Sequence, residues 1–172
     1  LKALPALQNQ HIMGWGAYNP EPAPGVYDWS SLDTRMGIIR ASGGEPVLTL
    51  CCAPDWMKGG TAGTTDWSRL EAAPLPGHYG DFAALAQRVA MRYPDVHYYQ
   101  VWNELKGFWR LGASRPDYEG YTDLYNAVYD ALKSVNSAIQ VGGPYVILDS
   151  NPDHSTGNES ALSGAYGTID QR

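Results

Sequence analysis

The chain has 172 residues, a net charge of −6 and a pI near 5.0. That length allows one domain with a real core. The acidic balance argues against nucleic acid or an anionic membrane surface as the main partner, and no run of about 18 apolar residues predicts a membrane-spanning helix. The chain opens on Leu1, and Leu1–Leu7 is too short for a signal peptide. It therefore reads as a mature product, a designed chain or an excerpt.

Residues 10–16 are predicted as a short strand, followed by a stiff, turn-rich loop over Asn19–Gly25. Asp28 is the expected N-cap of a helix in which Leu32, Met36 and Ile39 share a face and which Gly43-Gly44 ends. Residues 46–53 are nearly all apolar, as in a strand buried on both faces of a parallel sheet. Cys51 and Cys52 lie at its end. On a pleated strand they point to opposite faces, so they are expected as two small buried side chains rather than a disulfide or a metal pair.

Lys58 to Gly77 is a long loop carrying Asp66, Trp67 and Glu71, and loops of that length are often functional. His78–Arg92 is an amphipathic helix with Phe82, Leu85, Ala86 and Val89 inward. A strand from Val96 runs into Trp102-Asn103-Glu104. Ser114 and Asp117 have capping-box spacing and open a helix to about Asn136, with Tyr118, Tyr121, Tyr125, Val128, Leu132 and Val135 as its inner stripe. Ile139–Gly143 is the next strand, Tyr145–Gly157 a loop, and Gly164–Arg172 the start of a further helix. Alternating strands and helices predict parallel βαβ units in an α/β fold, with residues 1–172 as a single domain.

In such folds the site lies at the C-terminal ends of the strands. Here those ends supply His11 to Tyr18, Asp55-Trp56, Asn103-Glu104 and Gly143-Pro144-Tyr145. A carboxylate after a strand, with an amide before it and aromatics around it, suits sugar chemistry. The carboxyl group exchanges a proton with a glycosidic oxygen, the amide binds a hydroxyl, and indoles stack on a pyranose. With 12 Tyr and 6 Trp against 2 Phe, the aromatics favour polar-edged rings. His78 and His97 have no metal-ligand spacing, and Gly59-Gly60 and Gly142-Gly143 lack a phosphate-loop pattern, so no metal or other cofactor is expected.

Val101-Trp102-Asn103-Glu104 resembles the acid/base motif that ends the fourth barrel strand of clan A glycoside hydrolases. Pro54-Asp55-Trp56 is similar to a Pro-x-Trp found before it, and Tyr27-Asp28-Trp29 with its Ser and Leu-Asp to the segment after the second strand. The order is most similar to family 39, the β-xylosidase and α-iduronidase group, and more loosely to family 5 cellulases. The resemblance runs over roughly residues 10–145 and implies part of a (β/α)8 barrel, about strands two to five, because a whole barrel takes about 250 residues.

The resemblance implies a retaining hydrolase of a β-linked oligo- or polysaccharide. Glu104 would be the general acid/base and Asn103 the ligand of the sugar 2-hydroxyl. Trp56 either forms a sugar subsite or caps the core. Trp109, with Phe108, either stacks on sugar or packs its loop. His11 lies at the mouth or is a satisfied core residue, and Asp55 approaches the cleft. The nucleophile would end a seventh strand, which this chain does not reach, so a missing barrel half or a partner chain is implied. The other readings are a carbohydrate-binding or cell-surface-recognition domain without catalysis, and a purely structural domain. The compartment is not written in the residues, although sugar polymers usually lie outside cells.

Overall fold

The computed structural model describes residues 6–113 and 115–144, and the backbone of Glu159–Gly164 and Gly167–Asp170. Four strands form one parallel sheet: β1 (Leu7–His11), β2 (Glu45–Leu50), β3 (Tyr98–Val101) and, after the short antiparallel pair β4 (Trp109–Arg110) and β5 (Arg115–Pro116), β6 (Gln140–Gly142). Their order is β1-β2-β3-β6, so, the β4–β5 pair aside, each strand lies beside its predecessor in the chain. Helices α1 (Ser30–Ala41), α2 (Tyr79–Arg92) and α3 (Tyr118–Val135) make the three crossovers. This is the alternation expected of the sequence: an α/β domain with a parallel sheet.

The register separates two faces. Leu48 pairs with Tyr99 and Leu50 with Val101, and all four are buried. The alternate residues Asn9, His11, Thr49 and Gln100 share the other face, where the Asn9 amide donates to the Thr49 hydroxyl at 2.8 Å. That polar face explains why β1 reads weakly in the sequence. It begins at Leu7 and ends at His11, earlier than the predicted 10–16, although Ile12 and Met13 still donate to Thr49 and Cys51.

The helices supply the core. Leu32, Met36 and Ile39 of α1, Phe82, Leu85, Ala86 and Val89 of α2, and Leu124, Val128 and Leu132 of α3 are buried. Ion pairs tie the far end together: Arg40 to Asp95 at 2.6 Å and Arg92 to Asp33 at 2.5 Å, with the Tyr93 hydroxyl donating to Asp33 at 2.8 Å. Asp28, expected as the N-cap of α1, stands one residue ahead of it: Trp29 holds that position, and Asp28 accepts from the Ser30 backbone at 3.0 Å and its hydroxyl at 2.6 Å. Asp117 caps α3 by accepting from Gly120 N at 3.3 Å; Ser114 and the loop from Tyr145 to Gly157 lie outside the described residues.

Two expectations are corrected. Cys51 and Cys52 are joined by a disulfide across a cis peptide bond, with Cα atoms 2.9 Å apart. The strand ends at Leu50, so the pleat that would send the two side chains to opposite faces is absent. Nor does residue 164 open a helix: β7 (Glu159–Gly164) pairs antiparallel with β8 (Gly167–Asp170), with Gly164 opposite Gly167. β-branched Thr168-Ile169 beside glycine favours a hairpin over a helix.

Candidate active site

The site is built where β3 stops. The Val101 carbonyl accepts from the Tyr121 hydroxyl of α3 at 3.1 Å, and Trp102 N makes the last bond to β2 at Leu50 O, 3.2 Å. The backbone then turns sharply, with φ of 68° at Trp102, 56° at Glu104 and 57° at Leu105. Left-handed conformation at three residues that are not glycine is costly and is held by its surroundings. Trp102 is fully buried edge-on to Phe82 and Phe108, its indole N–H donates to Lys106 O at 2.7 Å, and Lys106 N donates to Asn103 O at 3.2 Å. Phe108 in turn meets Tyr121 edge-on at 5.6 Å. An aromatic file thus supports the turn that carries Asn103 and Glu104.

Asn103 is buried, and its amide donates to Glu71 Oε1 at 3.0 Å. Burial lowers the pKa of His11, against the opposing influence of the neighbouring Asn103 side chain and the charge of Glu71. The Lys106 ammonium lies 2.8 Å from Glu104 Oε2 and 3.4 Å from Glu71 Oε1. The hydrogen bond to Glu104 holds Lys106 above its usual pKa. Two carboxylates, one ammonium, one amide and one imidazole therefore meet at the C-terminal side of the sheet.

Glu71 comes from the long loop after β2, which is anchored like a core element. Asp55 and Lys58 are a buried ion pair at 3.1 Å. Asp55 Oδ2 accepts from Asp66 N at 2.6 Å, and Lys58 donates to Arg69 O and Leu70 O at 3.1 and 3.3 Å. Gly107, with φ of 81°, lies against the loop so closely that a Cβ there would strike the backbone of Glu71 to Ala73. Trp15, Trp67 to Ala72, Lys106 and Gly107 line a cleft of about 520 Å³.

The structure brings Glu104, Asn103 and His11 together. Asp55 reaches them through the loop it anchors. Trp56 donates to Glu21 O at 3.0 Å and meets His78 edge-on at 5.5 Å. Trp109 is half-exposed on β4, opposite Pro116 of β5. Glu71 and Lys106 are additions, for which the sequence signal was only their place on strand-end loops. Among the described residues no group of three or more His, Cys, Asp or Glu side chains could hold a metal ion, and no helix is long and apolar enough to cross a membrane.

No protein-family model matches the chain. A β-xylosidase of Caldicellulosiruptor saccharolyticus is 27% identical over 133 residues, covering 72% of this chain and 26% of that protein. The crystal structure of the family 39 enzyme of Xanthomonas axonopodis pv. citri matches at a TM-score of 0.53 and 28% identity, over 69% of this chain and 24% of its own. This chain resembles part of a family 39 glycoside hydrolase. A family 39 β-xylosidase of Caulobacter crescentus shares the fold at a TM-score of 0.56 and 24% identity, over 80% of this chain and 32% of its own. The chain spans about a quarter of the length of the β-xylosidase it matches.

Proposed function

We propose that the chain is the acid/base part of a glycoside hydrolase acting on a β-linked oligo- or polysaccharide with retention. Its sheet would form about strands two to five of a (β/α)8 barrel. Glu104 is the general acid/base: its carboxylic acid gives a proton to the glycosidic oxygen as the C–O bond breaks, and its carboxylate then takes a proton from the attacking water. Asn103 binds the sugar 2-hydroxyl, and Glu71 fixes the carboxamide. Asp55 holds the loop that brings Glu71 in, while Trp56 and Trp109 flank the mouth as sugar contacts. The second carboxylate, which retention requires about 5–5.5 Å from the first, comes from a barrel strand beyond these four.

The observation that carries this reading is the placement of Asn103 and Glu104 on a constrained turn at the end of a central parallel strand, with the Asn103 amide bonded to Glu71. The test is Glu104→Gln in the protein as its source makes it. Hydrolysis of glycosides with poor leaving groups falls by about 10²–10⁴-fold, while dinitrophenyl glycosides, which need little protonation, are largely spared. Equal loss on both removes the acid/base role. The 2.8 Å pairing of Glu104 with Lys106 favours a second reading, a sugar-binding domain without turnover. Saturable sugar binding with no hydrolysis of any aryl glycoside would select it.

A further inference from the structure

We propose that Trp15 and Trp67 form a stacking subsite for a second sugar ring beside Glu104, so that the site takes an oligosaccharide of at least two rings. Its link to catalysis rests on the acid/base reading above. Its position rests on the cleft itself.

Three strand ends build this cleft: Trp15 follows β1, Trp67 to Ala72 follow β2, and Lys106 and Gly107 follow β3. Both indoles are about half exposed, 51% for Trp15 and 48% for Trp67, whereas Trp102 is fully buried. Each is presented by constrained backbone. Trp15 sits at the apex of a two-residue turn closed by Gly14 N to Ala17 O at 2.8 Å and Ala17 N to Gly14 O at 2.9 Å. Its φ is 47° and that of Gly16 is 89°, a conformation that selects Asn or Gly rather than tryptophan. The His11 ring lies 4.2 Å from the Trp15 ring.

Trp67 opens a short 3-10 turn capped by Asp66, which accepts from Ser68 N at 3.0 Å. Asp66 N is itself held by buried Asp55. Tyr18 lies tilted against Trp67 at 6.4 Å. The cleft therefore offers two pre-placed apolar ring faces with a carboxylate, Glu71, and an ammonium, Lys106, at their edges. That is the complement of a pyranose, which presents C–H groups on its faces and hydroxyls around its rim. Lys106 also touches Glu104, so a ring held here is one side chain from the reacting oxygen.

The experiment follows the indole N–H signals of the six tryptophans in the 15N-labelled protein during titration with xylose, xylobiose and xylotriose. The Trp15 and Trp67 signals should shift and saturate, and the signal of buried Trp102 should stay. Affinity should rise at least tenfold from xylose to xylobiose. Trp67→Ala should lose that gain while keeping the Trp102 signal in place, which reports an intact fold. Xylobiose binding no tighter than xylose, or no saturable shift at Trp15 and Trp67, overturns the subsite. Glu104→Gln separates the two readings: it should keep the oligosaccharide preference even if turnover never depended on Glu104. Conversely, a Glu104-dependent activity indifferent to Trp67→Ala and to chain length removes the subsite alone.

Discussion

The side-chain amide of Asn103 donates to the Glu71 carboxylate at 3.0 Å, joining the end of β3 to a loop 32 residues earlier in the chain. Asn103 belongs to the motif; Glu71 has no motif at all. The bond helps fix which way the Asn103 carboxamide faces, because its N–H end is committed to Glu71. Glu71→Ala should therefore lower kcat/KM by about 10²-fold, the order expected when a positioned group drifts by about 1 Å. Glu71→Gln keeps an acceptor and should lose less. Steady-state kinetics on one β-xyloside compares the two; equal loss would mean that the charge, not the hydrogen bond, matters.

Gly107→Ala is expected to separate the two loops. The position has φ of 81°, and a Cβ would meet loop backbone rather than a movable side chain. Strain at such a site costs roughly 1–3 kcal/mol, and for a chain of this size each kcal/mol lowers Tm by roughly 2–4 °C. Calorimetry reads the shift. An unchanged Tm would show that the loops can part without cost.

The Asp55–Lys58 pair should be asymmetric in its response to mutation. Asp55→Ala leaves a buried ammonium and an unpaired Asp66 N–H, a loss of about 3–5 kcal/mol. Asp55→Asn retains an acceptor for Asp66 N and should cost less. Denaturant unfolding of both variants measures the difference, and a loss below about 1 kcal/mol for Asp55→Ala would mean that the loop is held by other contacts.

Acid should destabilise the fold through its arginine–carboxylate ion pairs. Hydrogen bonds from Arg92 and Arg40 hold Asp33 and Asp95 below their usual pKa, and Arg115 lowers Glu119 to about 2. A depressed carboxylate lends stability above its unfolded pKa and loses it as pH falls through the folded value. Tm should thus fall between about pH 4.5 and 2. Glu21 has the opposite sign: burial raises its pKa, so its contribution declines as pH rises through the folded value. Glu21→Gln should gain Tm relative to the parent as pH rises above the ordinary glutamate pKa of about 4.5. A parallel pair of Tm–pH curves would rule out that role for Glu21.

Much of the scaffold was legible because burial is periodic. The stripe of Phe82, Leu85, Ala86 and Val89 and the apolar run through Leu48 and Leu50 announce a helix and a buried strand. β1 was placed late because none of its residues is buried and the face it shares with Thr49 carries the polar Asn9 and His11. Asn103 and Glu104 were legible as a motif. Glu71 and Lys106 were not, because a charge on an aperiodic loop carries no signal until its partner is seen. The Cys51–Cys52 disulfide was hidden for a related reason: it depends on where β2 stops, and the apolar run continues past that point.

The position of α2 has a consequence for the order of folding. Glu71 precedes this helix and Asn103 follows it, so their bond cannot form until the β2–α2–β3 crossover has closed. During synthesis residue 71 emerges long before its partner, and the loop must wait with an unpaired carboxylate. Local helix formation in α2 shortens the span the chain must close, which lowers the entropy cost of bringing its ends together. The cleft should then form as one cooperative event with the crossover. Substitutions on the buried face of α2, none of which touches the cleft, would slow its appearance in a refolding experiment.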